Sequence, residues 1–171
     1  MSHIIPVHGH TPKVGDNCFI APTATLIGEV TVGKECSLWF NTVIRGDVAS
    51  IKIGHNSNIQ DGVIIHGTYQ KANTVIGNYV SVGHRALVHG CTLKDFALIG
   101  MGAIVMDHAV IGEGALVAAG AVVLENTIVE AGYLYAGVPA RKIKKLDSSH
   151  QERMRTIANN YSMYASWYNS E

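Results

Sequence analysis

The sequence predicts an all-β parallel β-helix of hexapeptide repeats with a C-terminal α-helix packed along it, and three observations carry that prediction. Aliphatic residues recur every six positions over roughly residues 14 to 134, small residues follow them at a fixed offset, and 18 glycines are spread along a chain in which only 15% of residues are charged. Periodicity takes precedence over local propensity, because a short unit that cannot bury its apolar side alone has to be read as part of a stack.

The aliphatic series runs Val14, Ile20, Leu26, Val32, Leu38, Ile44, then Ile53, Ile59, Ile65, then Ile76, Val82, Val88. After a one-residue contraction it continues through Leu93, Ile99, Val105, Ile111, Val117, Val123 and Val129. Neither the strand period of two nor the helical 3.6 fits such a recurrence. Four residues after most aliphatics comes a small or β-branched residue, such as Cys18, Ala24, Thr42, Ala86 or Ala103, suited to a tight interior corner. Glycine often follows the aliphatic directly, as at Gly15, Gly33, Gly54, Gly77 and Gly83, where it is expected to permit turn backbone. Three repeats make one triangular coil, and coils stack at ~4.8 Å, so residues three repeats apart lie above one another.

Two insertions interrupt the period, before Ile53 and between Ile65 and Ile76. Insertions in solenoids become loops, often on the working face. The second, about Gly67 to Thr74, follows His66 directly. Beyond Val129 the pattern dissolves into an exit segment ending at Pro139. A helix is then expected, with Ser149 and Glu152 as a capping box and an apolar stripe of Met154, Ile157, Ala158, Tyr161, Tyr164, Ala165 and Tyr168. The expected organisation is a β-helix domain over residues 1–145, with 146–171 as the helix and tail of the same domain.

A length of 171 residues and 47% apolar content suit one domain with a sizeable core. Lysine plus arginine, 13, balance aspartate plus glutamate, 13, which argues against nucleic acid or an anionic membrane as partner. No stretch approaches ~20 apolar residues, and Met1 to His10 does not read as a basic segment followed by a greasy one. Three cysteines without CxxC spacing suit a reducing compartment, so the expected location is cytoplasmic.

The register also orders the histidines. His66 follows Ile65 and His89 follows Val88, so the two should stack on adjacent coils. Arg45, after Ile44, lies in the same column one coil below. His84 comes two residues after Val82 and belongs to a different corner, above Asp61 with Gln60 beside it. Imidazole is the commonest zinc ligand, and a catalytic zinc keeps three protein ligands and a position for water. Two stacked histidines are one short; His84 of a neighbouring subunit in a three-fold assembly could supply the third. His3, His8, His10, His55, His108 and His150 are expected to face solvent. Cys18 and Cys36 read as core filler, and Cys91 is not expected to ligate, since a thiolate would block the water position.

Arg45-Gly46-Asp47, Asn58-Ile-Gln60-Asp61, His66, and Val82-Gly-His84 followed by His89 together resemble the γ-class carbonic anhydrases and their carbonic-anhydrase-like relatives. The resemblance extends through Tyr135-Ala-Gly-Val-Pro-Ala-Arg141 and the terminal helix, although that exit motif is shared with hexapeptide acyltransferases. It implies a left-handed β-helix and a homotrimer. It also implies zinc, with iron or cobalt as alternatives, held by His66 and His89 of one subunit and His84 of the next. The implied reaction is reversible hydration of carbon dioxide to bicarbonate by metal-bound hydroxide. Gln60 is then a hydrogen-bond partner of that hydroxide, Asp61 a supporting group and Arg45 and Asp47 an ion pair across the subunit interface. Tyr161 would reach the pocket from the helix. The loop after His66 departs from the well-studied members in having no carboxylate to shuttle protons, which points to a slow or buffer-dependent enzyme. The competing expectations are a hexapeptide acyltransferase or acyl-CoA thioesterase with one histidine as base and coenzyme A between coils, and a non-catalytic metal-bearing scaffold.

Overall fold

The computed structural model describes residues 3–169. The hexapeptides form a parallel β-helix with three faces, each a stack of short strands in register. The first face stacks His3–Ile5, the opening halves of Thr25–Val32 and Val43–Ile53, then Ile64–His66, Leu87–His89, Ile104–Val105 and Val122–Val123. Those two long strands bend at a corner and continue into the second face, which also holds Lys13–Val14, Thr74–Ile76, Thr92–Leu93, Val110–Ile111 and Ile128–Val129. The third face runs Phe19–Ile20, Ser37–Leu38, Asn58–Ile59, Ser81–Val82, Leu98–Ile99, Leu116–Val117 and Tyr133–Ala136.

The periodic aliphatics point inward. Leu26, Ile44, Ile65, Val88, Val105 and Val123 of the first face are all 0% exposed, and the alanines expected at the corners, among them Ala24, Ala97 and Ala103, are equally inaccessible. The stack reaches beyond the aliphatic run at both ends. Ile4 pairs with Leu26 above it, and Tyr135 takes an aliphatic's place above Val117. The exit segment then turns back as an antiparallel strand, Arg141–Lys145.

The glycines that follow the aliphatics have a different cause from the one expected. Left-handed backbone falls three residues after the aliphatic, commonly on a non-glycine such as Asn17, Glu35, Asn56, Arg85 or His108. Gly54 is needed for close approach instead: a Cβ there would lie 2.6 Å from the carbonyl carbon and oxygen of Gly77 on the next coil.

Helix α1, His150–Ser166, packs against Ser37–Leu38 and Ser81–Val82 of the third face. Met154, Ala158 and Ala165 are buried, as the stripe predicts, but so is His150, at 5% exposure, against the expectation of a solvent-facing side chain. The Ser149 side chain caps nothing. Asp147 takes the capping role, accepting from the Ser149 backbone N–H at 3.0 Å and its hydroxyl at 2.5 Å. Lower down, the Arg155 guanidinium sits over the stacked rings of Tyr79 and Phe96, and Tyr161 and Tyr168 close on Trp39.

Candidate metal centre

His66 and His89 are direct register partners. The strand pleat turns both imidazoles out at the corner between the first and second faces, and His66 Nδ1 and His89 Nε2 are 3.2 Å apart. His84 sits at the other end of the first face, at its corner with the third. A single chain therefore holds the three histidines in two separate places, and among the described residues no cluster of three or more His, Cys, Asp or Glu is placed to hold a metal.

Each of these histidines has a carboxylate on its other nitrogen. Asp47 Oδ1 is 3.1 Å from His66 Nε2, Asp61 Oδ2 is 2.8 Å from His84 Nδ1, and Asp107 Oδ1 is 2.5 Å from His89 Nδ1. Among the described residues only these three histidines pair with a carboxylate. An ionised carboxylate accepts, so the imidazole N–H turns toward it and the remaining nitrogen keeps its lone pair. His66 and His89 then aim lone pairs at each other. Two nitrogens each 2.0–2.1 Å from one tetrahedral ion would lie about 3.3 Å apart, so the observed separation fits a shared cation.

The electrostatics keep the carboxylates charged. Partial burial raises the Asp47 carboxyl, but hydrogen bonds from Arg45 and His66 outweigh it and hold it below the ordinary carboxylate range. Asp107 is likewise held low, its burial outweighed by hydrogen bonds from Thr68 and His89. Burial, against the pull of Asp47, keeps the His66 imidazole below its ordinary value and so favours the neutral ring that a metal requires. Within one chain Arg45 and Asp47 form an ion pair, Nη1 to Oδ2 at 2.5 Å. The two are two residues apart on the same bulged strand, close enough to pair locally.

Gln60 is buried beside the His84 corner. Its Nε2 donates to Asn58 Oδ1 at 3.0 Å and Ser81 Oγ at 3.3 Å, while its Oε1 accepts from the His84 backbone N–H at 3.2 Å. Both amide hydrogens are thereby engaged, leaving spare capacity only as an acceptor at Oε1. Tyr161 and Ile157 of α1, with Met101, Gln60 and His84, line a cavity of about 280 Å³ between helix and third face. Burial, with the charge of Asp61, raises the Tyr161 hydroxyl's pKa.

Sequence reasoning missed Asp107 and Thr68. Asp107 lies one coil above His89 but two residues past Val105 rather than one, so counting register positions does not bring them together. On the loop after His66, Tyr69 is 63% exposed.

Residues 11–46 and 90–125 match the family model described as bacterial transferase hexapeptide (six repeats). The chain is 44% identical over 96% of its length to a carbonic anhydrase of Geobacillus kaustophilus, covering 90% of that protein. The chain belongs to the γ-class carbonic anhydrase family. It is 38% identical over 98% of its length to gamma carbonic anhydrase 2, mitochondrial, of Arabidopsis thaliana, spanning 62% of that protein's length. A crystal structure of a hexapeptide transferase family protein from Anaplasma phagocytophilum matches with a TM-score of 0.92 at 40% identity, over 97% of this chain and 98% of that one.

Proposed function

We propose that this γ-class family member is a homotrimeric metalloenzyme that reversibly hydrates carbon dioxide to bicarbonate. His66 and His89 of one subunit and His84 of the next would hold the metal. The observation that carries this reading is the carboxylate behind each of the three histidines, since metal-ligating imidazoles almost always donate their second N–H in this way.

The surface between the two corners supports the shared site. Val43, Ile64, Leu87, Ile104 and Val122 stack up the outside of the first face, and Ile64 is 47% exposed. This apolar stripe is flanked by the His66–His89 corner on one side and the His84 corner on the other. Three chains turning this face toward a common axis would bury the stripe and bring each histidine pair beside a neighbour's His84.

A bound zinc, iron or cobalt ion would supply Lewis acidity, lowering the pKa of water from ~15.7 toward ~7. The chain's own residues orient and restrain: Asp47, Asp61 and Asp107 fix the imidazoles, and Gln60 offers an acceptor at Oε1. Buffer would carry away protons, because the loop after His66 has no carboxylate.

The family model and the Anaplasma structure both carry a transferase name, which favours acyl transfer as the second reading. That chemistry needs one histidine and a coenzyme A groove and leaves the other two carboxylate–histidine pairs without a role. Stopped-flow hydration of carbon dioxide separates the readings, comparing zinc-, iron- and cobalt-loaded protein with chelator-stripped protein in strong buffer. Metal-dependent hydration that rises with buffer concentration is expected. No hydration in any loaded sample would leave acyl transfer or a scaffold.

A further inference from the structure

We propose that Asp107, clamped by Thr68 of the insertion loop, is the positioning residue that sets the tautomer of His89 and with it the affinity of the site for a divalent metal. The inference rests on the metal reading above and adds residues that lie outside the family's signature motifs.

The geometry is continuous from loop to imidazole. Asp107 uses one oxygen for each partner: Oδ1 faces His89 Nδ1 at 2.5 Å, and Oδ2 accepts from Thr68 Oγ1 at 2.5 Å. Thr68 is held in turn by its own loop. Its backbone N–H donates to Ala72 O at 3.1 Å, and its carbonyl accepts from the Ala72 N–H at 3.0 Å. The loop is tied at both ends, since the His66 carbonyl accepts from the Thr74 hydroxyl at 2.5 Å and from the Gly90 N–H at 3.1 Å. A Cβ on Gly90 would strike both the Asp107 carboxylate and Ala72, so the aspartate, the loop and the strand end carrying His89 are in contact.

Consequently the five residues inserted after the repeat ending at Ile65 act as a clamp. With Asp107 accepting from Nδ1–H, His89 presents Nε2 to the cation position. Without that acceptor either tautomer is open, and the ring is free to rotate away from His66. Removing an outer partner of this kind typically costs about 10–100-fold in metal affinity.

The test reads the tautomer in metal-free protein and the affinity separately. Long-range ¹H–¹⁵N NMR assigns the protonated nitrogen of His89, and competition with a chromophoric chelator measures zinc and cobalt binding. Wild-type protein should show His89 protonated at Nδ1. Asp107→Ala should mix the tautomers and weaken binding by about 10–100-fold. Asp107→Asn, which keeps an acceptor without the charge, should restore the tautomer and part of the affinity, and Thr68→Val should lie between wild type and Asp107→Ala. If Asp107→Ala does not fold, the Thr68→Val shift alone decides. An unchanged Nδ1–H tautomer with affinity within about twofold of wild type in the alanine variant, or in Thr68→Val where it alone is folded, overturns the proposal. Wild-type protein that shows the Nδ1–H tautomer yet binds neither metal sinks the metal reading and, with it, the affinity half of this one.

Discussion

Hydrogen bonding from Cys36 draws the Cys18 thiol down to about 7 against its partial burial. The same pairing, followed by burial, pushes Cys36 up, and burial pushes Cys91 up to about 12. The thiolate is the nucleophile, so the native protein at neutral pH should be alkylated by iodoacetamide at Cys18 first. Peptide mass spectrometry that finds Cys36 or Cys91 modified earlier would contradict this. From the sequence Cys18 and Cys36 read only as core filler, because their corner offset is visible while the sulfur contacts between coils are not. The same limit applies to the histidines. Stacking His66 on His89 requires only counting along two strands, whereas Asp107 meets His89 by reaching across an offset that depends on side-chain rotamers. His150 hides its ring because the Arg141–Lys145 hairpin turns the helix start against the last coils, a fold-back without periodic trace.

Among the turns and strands, the two kinds of glycine should respond differently to the same substitution. Gly54→Ala sets a methyl group against backbone of the coil above and should cost about 3 kcal/mol. Gly102→Ala meets nothing within 4 Å at φ +66 and should cost only the left-handed backbone preference, roughly 1 kcal/mol. Urea unfolding of the two variants measures the difference, and a smaller loss for Gly54→Ala would mean that the coils do not approach as closely as the column requires. Glycine spacing was legible in the sequence, but its cause needed the backbone angles. The helix was legible from its stripe and its start was not: Ser149 and Glu152 fit the capping pattern, yet Asp147 two residues earlier reaches the free N–H first.

For the assembled molecule, subunits lacking His84 can be mixed with subunits lacking both His66 and His89. Each parent should be inactive, and every mixed ring of three should contain one junction where an intact pair meets an intact His84. Equal random mixing makes roughly three quarters of the rings hybrid, so about a quarter of wild-type metal binding and hydration should return. Mixed rings verified by native mass spectrometry that bind no metal would show that the three histidines do not share a site. The stripe beside these corners can be counted in the sequence, one residue before each inward aliphatic. The comparable position on the third face carries Ser37, Asn58 and Ser81 on the middle coils, polar where the stripe is apolar. Helix α1 runs the length of the stack. Gln151 bonds Glu113 of the sixth coil, and just past the other end Tyr168 rests on Phe19 of the first. A pile of coils with loose ends can shed them singly from top or bottom. Strapped from one end to the other, this pile makes its bottom coil answer for its top one, so that disturbing either end is felt at both.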